Sequence, residues 1–223
     1  MCGRYKITYE DKIQERIEQL KIWDWIMEQL KISDPDYQFP FEFKPTNSAP
    51  VIVADDSGKT ELHLMKWGFK EKITNHATGK EITKDIFNTK IENINKIPYW
   101  KEAFEKRRCL IPVTEWFEWH DKGDGRGKLK YSLNLKDDPV FFFAGIWRPS
   151  VNKKTGEAIE EFSIITTVAN ETVRSVHEKG RMPSIITEKS LQDQWLFDQD
   201  LKALKKLAAA QYEDEKLLLK EAK

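Results

Sequence analysis

Four stretches in the second half of this chain, CLIPVTEWFEWH, KYSLNL, PVFFFAGIW and EFSIITTVA, leave it little freedom of fold. Each is short, rich in β-branched and aromatic residues, and divided from the next by turn-formers such as DKGDGRGK and SVNKKTGEA, the pattern of successive strands. Upstream, VIVADDSGKTELHLMKWGF sets two apolar runs on either side of Asp56, Ser57 and Gly58, a hairpin signal. Helical spacing appears only around this core. Ile13, Ile17, Leu20, Trp23, Trp25, Ile26 and Leu30 predict a helix from Glu10 to Lys31, broken near Trp23. Trp100, Ala103 and Phe104 predict a short amphipathic helix over Tyr99–Lys106, and SLQDQWLF opens a charged helical tail over about 188–223. The stretch KEKITNHATGKEITKDIF reads as a polar loop. With no linker and no internal repeat, residues 1–223 form one domain. The fold class is α+β: a curved, mainly antiparallel β-sheet or barrel with peripheral helices.

A chain of 223 residues, 39% hydrophobic and 12% aromatic, is long enough for one sizeable core. Its 37 basic and 37 acidic residues cancel, which argues against bulk electrostatic capture of nucleic acid or an anionic membrane, so such binding needs a local patch. Two cysteines, Cys2 and Cys109, are too few for a disulfide framework. Arg4, Lys6, Glu10, Asp11 and Lys12 interrupt any apolar leader, and no segment reaches the apolar length of a membrane helix. The expectation is a cytoplasmic protein with no membrane partner.

The chemistry starts at MCGRYKITYE. Removal of Met1 would leave Cys2 with a free α-amine beside its thiol. Reference pKa values of about 7.7–8.0 and about 8.5 keep both nucleophilic forms available near neutrality. Such a 1,2-aminothiol can attack an amide through sulfur, or trap an aldehyde as a Schiff base that sulfur closes into a thiazolidine. In TEWFEWH, strand alternation groups Trp116, Glu118 and His120 on one face and Glu115, Phe117 and Trp119 on the other. A glutamate buried among aromatics has a raised pKa and suits proton transfer near neutral pH. His177, one of four histidines, is a candidate proton shuttle, and the Asn88 amide could hold an amine or carbonyl. Arg4, Lys90, Arg107, Arg108 and Arg181 are candidate phosphate contacts, with Trp67 a candidate base-stacking platform. His63, His76, His120 and His177 have no close partners at zinc-ligand spacing, and glycine-rich phosphate loops are missing, so neither metal nor cofactor is expected.

The ordered set MCGRY, NSAP, KWGF, NTKIE, RRCLIPVTEWFEW, AGIW, ITTVAN and VHEKGRMP resembles the SOS-response-associated peptidase (SRAP) family, from Cys2 to about Ile186. The resemblance implies a protein that binds single-stranded DNA and captures the aldehyde of an abasic site through the N-terminal Cys2, as a thiazolidine crosslink that shields the lesion. The family name implies autoproteolytic removal of Met1, and the activity is peptidase- or lyase-like. Carried over by motif, Asn88 would hold the Cys2 terminus, Glu118 would assist sugar opening and proton transfer at the amine, and His177 would shuttle protons. Arg4, Lys90 and Arg181 would contact phosphates, Trp67 would pack at the DNA, and Asn47 and Pro50 would shape the pocket. A monomer in the cytoplasm, nucleoid-associated in a bacterium, is the implied setting. Lys90 stands where the family usually has Arg, two extra residues within EKG separate His177 from Arg181, Lys130 and Tyr131 stand where a Pro-Tyr after Lys is usual, and Asn75–Lys84 looks like an insertion.

Two other readings use the same residues. An N-terminal-nucleophile amidohydrolase would direct the Cys2 thiol and amine at an amide, and a glutaminase assay would reveal it. A non-covalent reader of damaged single-stranded DNA would rely on Trp67 and the basic residues alone, with binding fully reversed by salt.

Overall fold

The computed structural model describes residues 2–8, 41–74, 78–123, 127–152 and 155–222. The helix expected over Glu10–Lys31, and His76, lie outside them. The described chain begins with β1 (Tyr5–Ile7), β2 (Phe41–Phe43), β3 (Ser48–Ala54), β4 (Thr60–Trp67), β5 (Phe69–Thr74), β6 (Glu81–Ile86) and β7 (Asn88–Lys90). A 3₁₀ turn at Ile91–Asn93 leads to α1 (Pro98–Lys106), then β8 (Arg108–Val113), β9 (Glu115–Asp121), β10 (Lys128–Leu135), β11 (Phe141–Val151) and β12 (Ala158–Val168). Last come α2 (Glu171–Val176), β13 (Arg181–Pro183), β14 (Ile185–Ile186), α3 (Lys189–Phe197), α4 (Leu201–Ala209), a 3₁₀ turn at Asp214–Lys216 and β15 (Leu217–Ala222).

Strands β3, β4, β12, β11 and β8 pair in a closed ring, antiparallel except where β12 meets β4. This is the barrel expected from the apolar runs. A second sheet, ordered β15-β10-β9-β1-β2, packs against it. The runs are continuous because the strands are covered on both faces. In β11, Phe141 and Phe143 join the core shared with the second sheet, whereas Phe142, Ala144 and Ile146 join a core roofed by Trp100 and Phe104 of α1, Trp195 of α3 and Leu204 of α4. Gly145 sits where a Cβ would lie 2.5 Å from Ile111 Cδ1 and 2.9 Å from Cys109 Sγ; only glycine fits so close an approach.

Two expectations are corrected. The stretch predicted as a polar loop contains the antiparallel pair β5–β6, in register from Phe69↔Ile86 to Thr74↔Glu81. Lys70, Lys72, Glu81 and Lys84 of this two-stranded ribbon face solvent, which hides the alternation that marks a half-buried strand. Arg148 fastens this ribbon to the barrel, bonding Glu71 of β5 and, at 2.9 Å, the buried Glu161 of β12. The tail predicted as helical through residue 223 forms α3 and α4, but its last part is strand β15, paired with β10 from Leu135↔Leu217 to Lys130↔Ala222. LLLKEA suits either state locally, and the open edge of β10, with burial of Leu217 in the core, decides the matter. Among the described residues no helix is long and apolar enough to cross a membrane.

Arg108, expected as a candidate phosphate contact, is 5% exposed and belongs to the core scaffold. Its guanidinium donates to the carbonyls of Phe104 and Glu105 at the end of α1, and of Trp195 and Asp198 at the end of α3, at 2.6 to 2.9 Å. One cation thereby satisfies orphan carbonyls of two helices and complements both their negative ends. Arg108→Met keeps the apolar stem and strands those carbonyls. We expect a loss on the order of 2–4 kcal/mol, read as a lower urea midpoint with an unchanged m-value; a loss below about 0.5 kcal/mol would show that the staple contributes little.

Candidate functional site

Cys2 leads into β1 and is buried, its thiol donating to the Arg4 carbonyl at 3.8 Å. The Asn88 amide nitrogen, at the start of β7, donates to the Cys2 carbonyl at 2.9 Å, tying the chain's first residues to the barrel across 86 positions of sequence. Asn88 is held in turn: β7 pairs in parallel with β12 at Ile164↔Asn88, and the preceding Phe87 carbonyl accepts from Ile164 N at 3.1 Å and Trp67 Nε1 at 2.9 Å. Asn88 Oδ1 is buried without a hydrogen-bond partner among the described residues.

Glu118 enters from the middle of β9, 1% exposed, on the same face as the fully buried Trp116, as alternation requires. Burial lifts its carboxyl to a pKa of about 7, against the opposing pull of the positively charged amino terminus. The same burial, reinforced by the Glu118 charge, pushes the Cys2 thiol far above its ordinary range. In this state the sulfur is a protonated thiol.

His177 caps the C-terminal end of α2, its N–H donating to the Val173 carbonyl at 2.9 Å, and its Nε2 lies 3.5 Å from Glu118 Oε2. The short helix is fixed at its other end by Asn170, whose side chain accepts from Val173 N at 3.1 Å, and by Asp214, which accepts from Thr172 N at 2.6 Å. The C-terminal segment therefore holds the helix that presents His177, a role no local pattern reveals. Cys2, Asn88, Glu118 and His177, expected from four distant segments, converge. A cleft of ≈ 260 Å³ opens onto Glu118 and His177, and Trp119, Asp121, Lys128, Glu178 and Lys179 complete its wall.

The expected nucleic-acid contacts divide. Arg4 lies at 5.2 Å over the Trp119 ring and pairs with Glu42 at 3.1 Å, and Lys90 is exposed at the end of β7. Trp67, expected as a stacking platform, is fully buried between Tyr5 and Phe162, with its indole N–H spent on Phe87. No base can reach it, and it acts on the site from behind by fixing the residue before Asn88. Pro50 is buried within β3, and exposed Asn47 uses Oδ1 to accept from Lys44 N at 2.9 Å in the preceding turn, and neither lines this cleft. Arg181, 8% exposed, forks onto Glu92 at 2.7 and 3.0 Å and also donates to the Thr166 carbonyl. A phosphate could use that fork only by breaking the pair. Sequence reasoning missed Trp119, Lys128 and Lys179 as cleft residues. Trp119 was visible in TEWFEWH, but alternation assigns it to the face opposite Glu118, and only the cleft geometry shows both on one wall. Among the described residues no three His, Cys, Asp or Glu side chains are grouped to hold a metal ion.

This combination has relatives. The abasic site processing protein YoqW of Bacillus subtilis is 28% identical over 196 residues, covering 88% of this chain and 80% of its own. The abasic site processing protein YMR114C of Saccharomyces cerevisiae is 25% identical over 83% of this chain and 52% of its own. A crystal structure of a protein from Bacteroides thetaiotaomicron superposes with a TM-score of 0.76 at 26% identity, over 100% of this chain and 92% of that one. One from Bordetella bronchiseptica gives 0.70 at 20% identity over the full length of both. The sequence profile described as SOS response associated peptidase (SRAP) matches residues 1–222, and with the barrel and the four converging residues in view, the chain belongs to that family.

Proposed function

We propose that this protein processes abasic sites by binding single-stranded DNA and crosslinking to the lesion through Cys2 once Met1 has been removed. The observation that carries the reading is the convergence of Cys2, Asn88, Glu118 and His177 beside an open cleft. The names of the relatives, abasic site processing proteins, point the same way.

The chemistry follows from the groups present. The Cys2 amine adds to the aldehyde of the ring-opened sugar, giving a carbinolamine. Glu118, with its pKa of about 7, delivers a proton to the hydroxyl, which leaves as water, and a Schiff base forms. The thiol then adds across the C=N bond: sulfur bonds to carbon, the thiol proton ends on nitrogen, and a thiazolidine closes. His177 at 3.5 Å from Glu118 relays protons between the carboxyl and the cleft. Asn88 fixes the Cys2 backbone so that amine and thiol face the same carbon. Trp119 supplies an aromatic surface at the cleft in place of Trp67, and Arg4, Lys90, Lys128 and Lys179 supply the local positive charge that a net-neutral chain needs to hold phosphates.

Mixing the protein with abasic single-stranded DNA should give a denaturation-resistant adduct, and intact DNA none. Cys2→Ala should abolish the thiazolidine. Cys2→Ser should leave only a Schiff base that borohydride traps. Equal adduct from Cys2→Ala, or complexes that salt fully reverses, would remove Cys2 from the mechanism.

Single-turnover rates across pH 5 to 9 should rise as the amine loses its proton and fall as Glu118 loses its own near pH 7, because the acid form is present below the carboxyl pKa and lost above it. Glu118→Gln should slow the reaction by on the order of a hundredfold and erase the falling limb. An unchanged profile would make Glu118 structural. Lys90→Gln should weaken encounter with single-stranded DNA and reduce the salt slope by about one contact, about 0.7 in log–log units; an unchanged slope would remove Lys90 from the interface.

A further inference from the structure

His177 has two ring nitrogens, and its use as a proton relay requires that one of them stay fixed toward Glu118. Nε2 faces Glu118 at 3.5 Å, and Nδ1 accepts from the backbone N–H of Arg181, also at 3.5 Å. An N–H donor on Nδ1 keeps that nitrogen unprotonated in the neutral ring and assigns the proton to Nε2. The ring therefore depends on where the Arg181 backbone sits. The intervening turn has Gly180 at φ +55° with its N–H on the His177 carbonyl at 2.9 Å, and the β12–β13 pairing at Val168↔Arg181, with Ala169 N donating to the Gly180 carbonyl at 2.9 Å, sets its register on one edge of β12.

The Arg181 side chain adds a second tether, reaching the other edge of β12. Its guanidinium passes under β12, donates to the Thr166 carbonyl and forks onto both oxygens of Glu92, which follows β7 on the opposite edge of β12. Glu92 lies at the surface while Arg181 is buried, so a solvent-side carboxylate closes over a buried cation. Burial tends to raise the Glu92 carboxyl pKa, yet the fork on Arg181 holds it below the ordinary range. The bidentate geometry fixes direction as well as distance. Lys90, two residues from Glu92 and exposed, has no ion pair to break among the described residues and stays available to a phosphate.

We infer that the Glu92–Arg181 pair is a positioning clamp for His177: it anchors the turn across β12, holds the Arg181 N–H on Nδ1 and thereby aims Nε2–H at Glu118. Neither residue touches the reacting atoms. Arg181 serves the site through its backbone, and its side chain is a tether and not a phosphate contact. The kinetic part of this inference rests on the crosslinking function proposed above, whereas the ring geometry does not.

The test uses Glu92→Gln, which keeps size and one hydrogen bond but loses the ionic fork, with Glu92→Asp as the conservative variant. In ¹⁵N spectra of histidine-labelled protein without DNA, wild-type His177 should show one fixed tautomer, Nδ1 unprotonated. Glu92→Gln should move the ring signals toward the averaged values of a free imidazole, and Glu92→Asp should restore most of the difference. With abasic single-stranded DNA, Glu92→Gln should slow single-turnover crosslinking by on the order of tenfold, with affinity for intact DNA unchanged and Glu92→Asp intermediate. Unchanged ring signals in a folded Glu92→Gln protein would overturn the clamp, and so would a defect confined to DNA affinity, which would return Arg181 to the phosphate contacts. Absence of any adduct from the wild type would instead condemn the proposed function, and the DNA-free spectra would still decide the clamp.

Discussion

Strand β12 is paired along both edges, with β11 and then β13 on one side and β4 and then β7 on the other, and the site is suspended from this double pairing. The β4 side brings Asn88 into place through β7, and the β11 side brings the His177 turn through β13. Because each pairing fixes register as well as direction, a shift in β12 would displace the tether on Cys2 and the ring beside Glu118 together. The closed ring of β3, β4, β12, β11 and β8 removes the sheet edge that could permit such a shift.

Onto this rigid frame the chain loads groups that are costly to bury. Glu118 and His177 sit together at 1% and 7% exposure, and the carboxyl answers by titrating near neutrality instead of near its ordinary value. Elsewhere buried or half-buried cations are met by specific partners: Arg108 by four carbonyls, Arg148 by Glu71 and Glu161, and the two terminal nitrogens of Arg181 by Glu92 and Thr166. At the site, Asn88 Oδ1 keeps unused hydrogen-bonding capacity next to Cys2.

Strands with one or both faces buried were legible because apolar content and alternation report burial directly. Glu118 was readable as a buried carboxyl for the same reason, its neighbours Trp116 and Phe117 being buried on opposite faces of β9. The ribbon β5–β6 was not, since a strand exposed on both faces carries no such signal. Strand β15 was misread because LLLKEA has no local preference strong enough to resist the edge it meets. Trp67 and Arg181 were placed at the DNA because an aromatic and a cation look alike in sequence whether they face solvent or core.

The sequence by itself determined the β-rich core, a helix over Tyr99–Lys106 and another opened by SLQDQWLF, the aminothiol that Cys2 would offer, and its three candidate companions Asn88, Glu118 and His177, since these depend on residue type, periodicity and recognisable ordered motifs. Only the tertiary structure decided how those residues meet, that Arg108 staples two helices, that the C-terminal segment caps the helix presenting His177, and that Arg181 turns inward to Glu92. Those outcomes rest on contacts between residues 40 to 90 positions apart. Pairing partners at such separations are chosen by which edges and carbonyls the fold leaves open, a property of the assembled chain that no local stretch encodes.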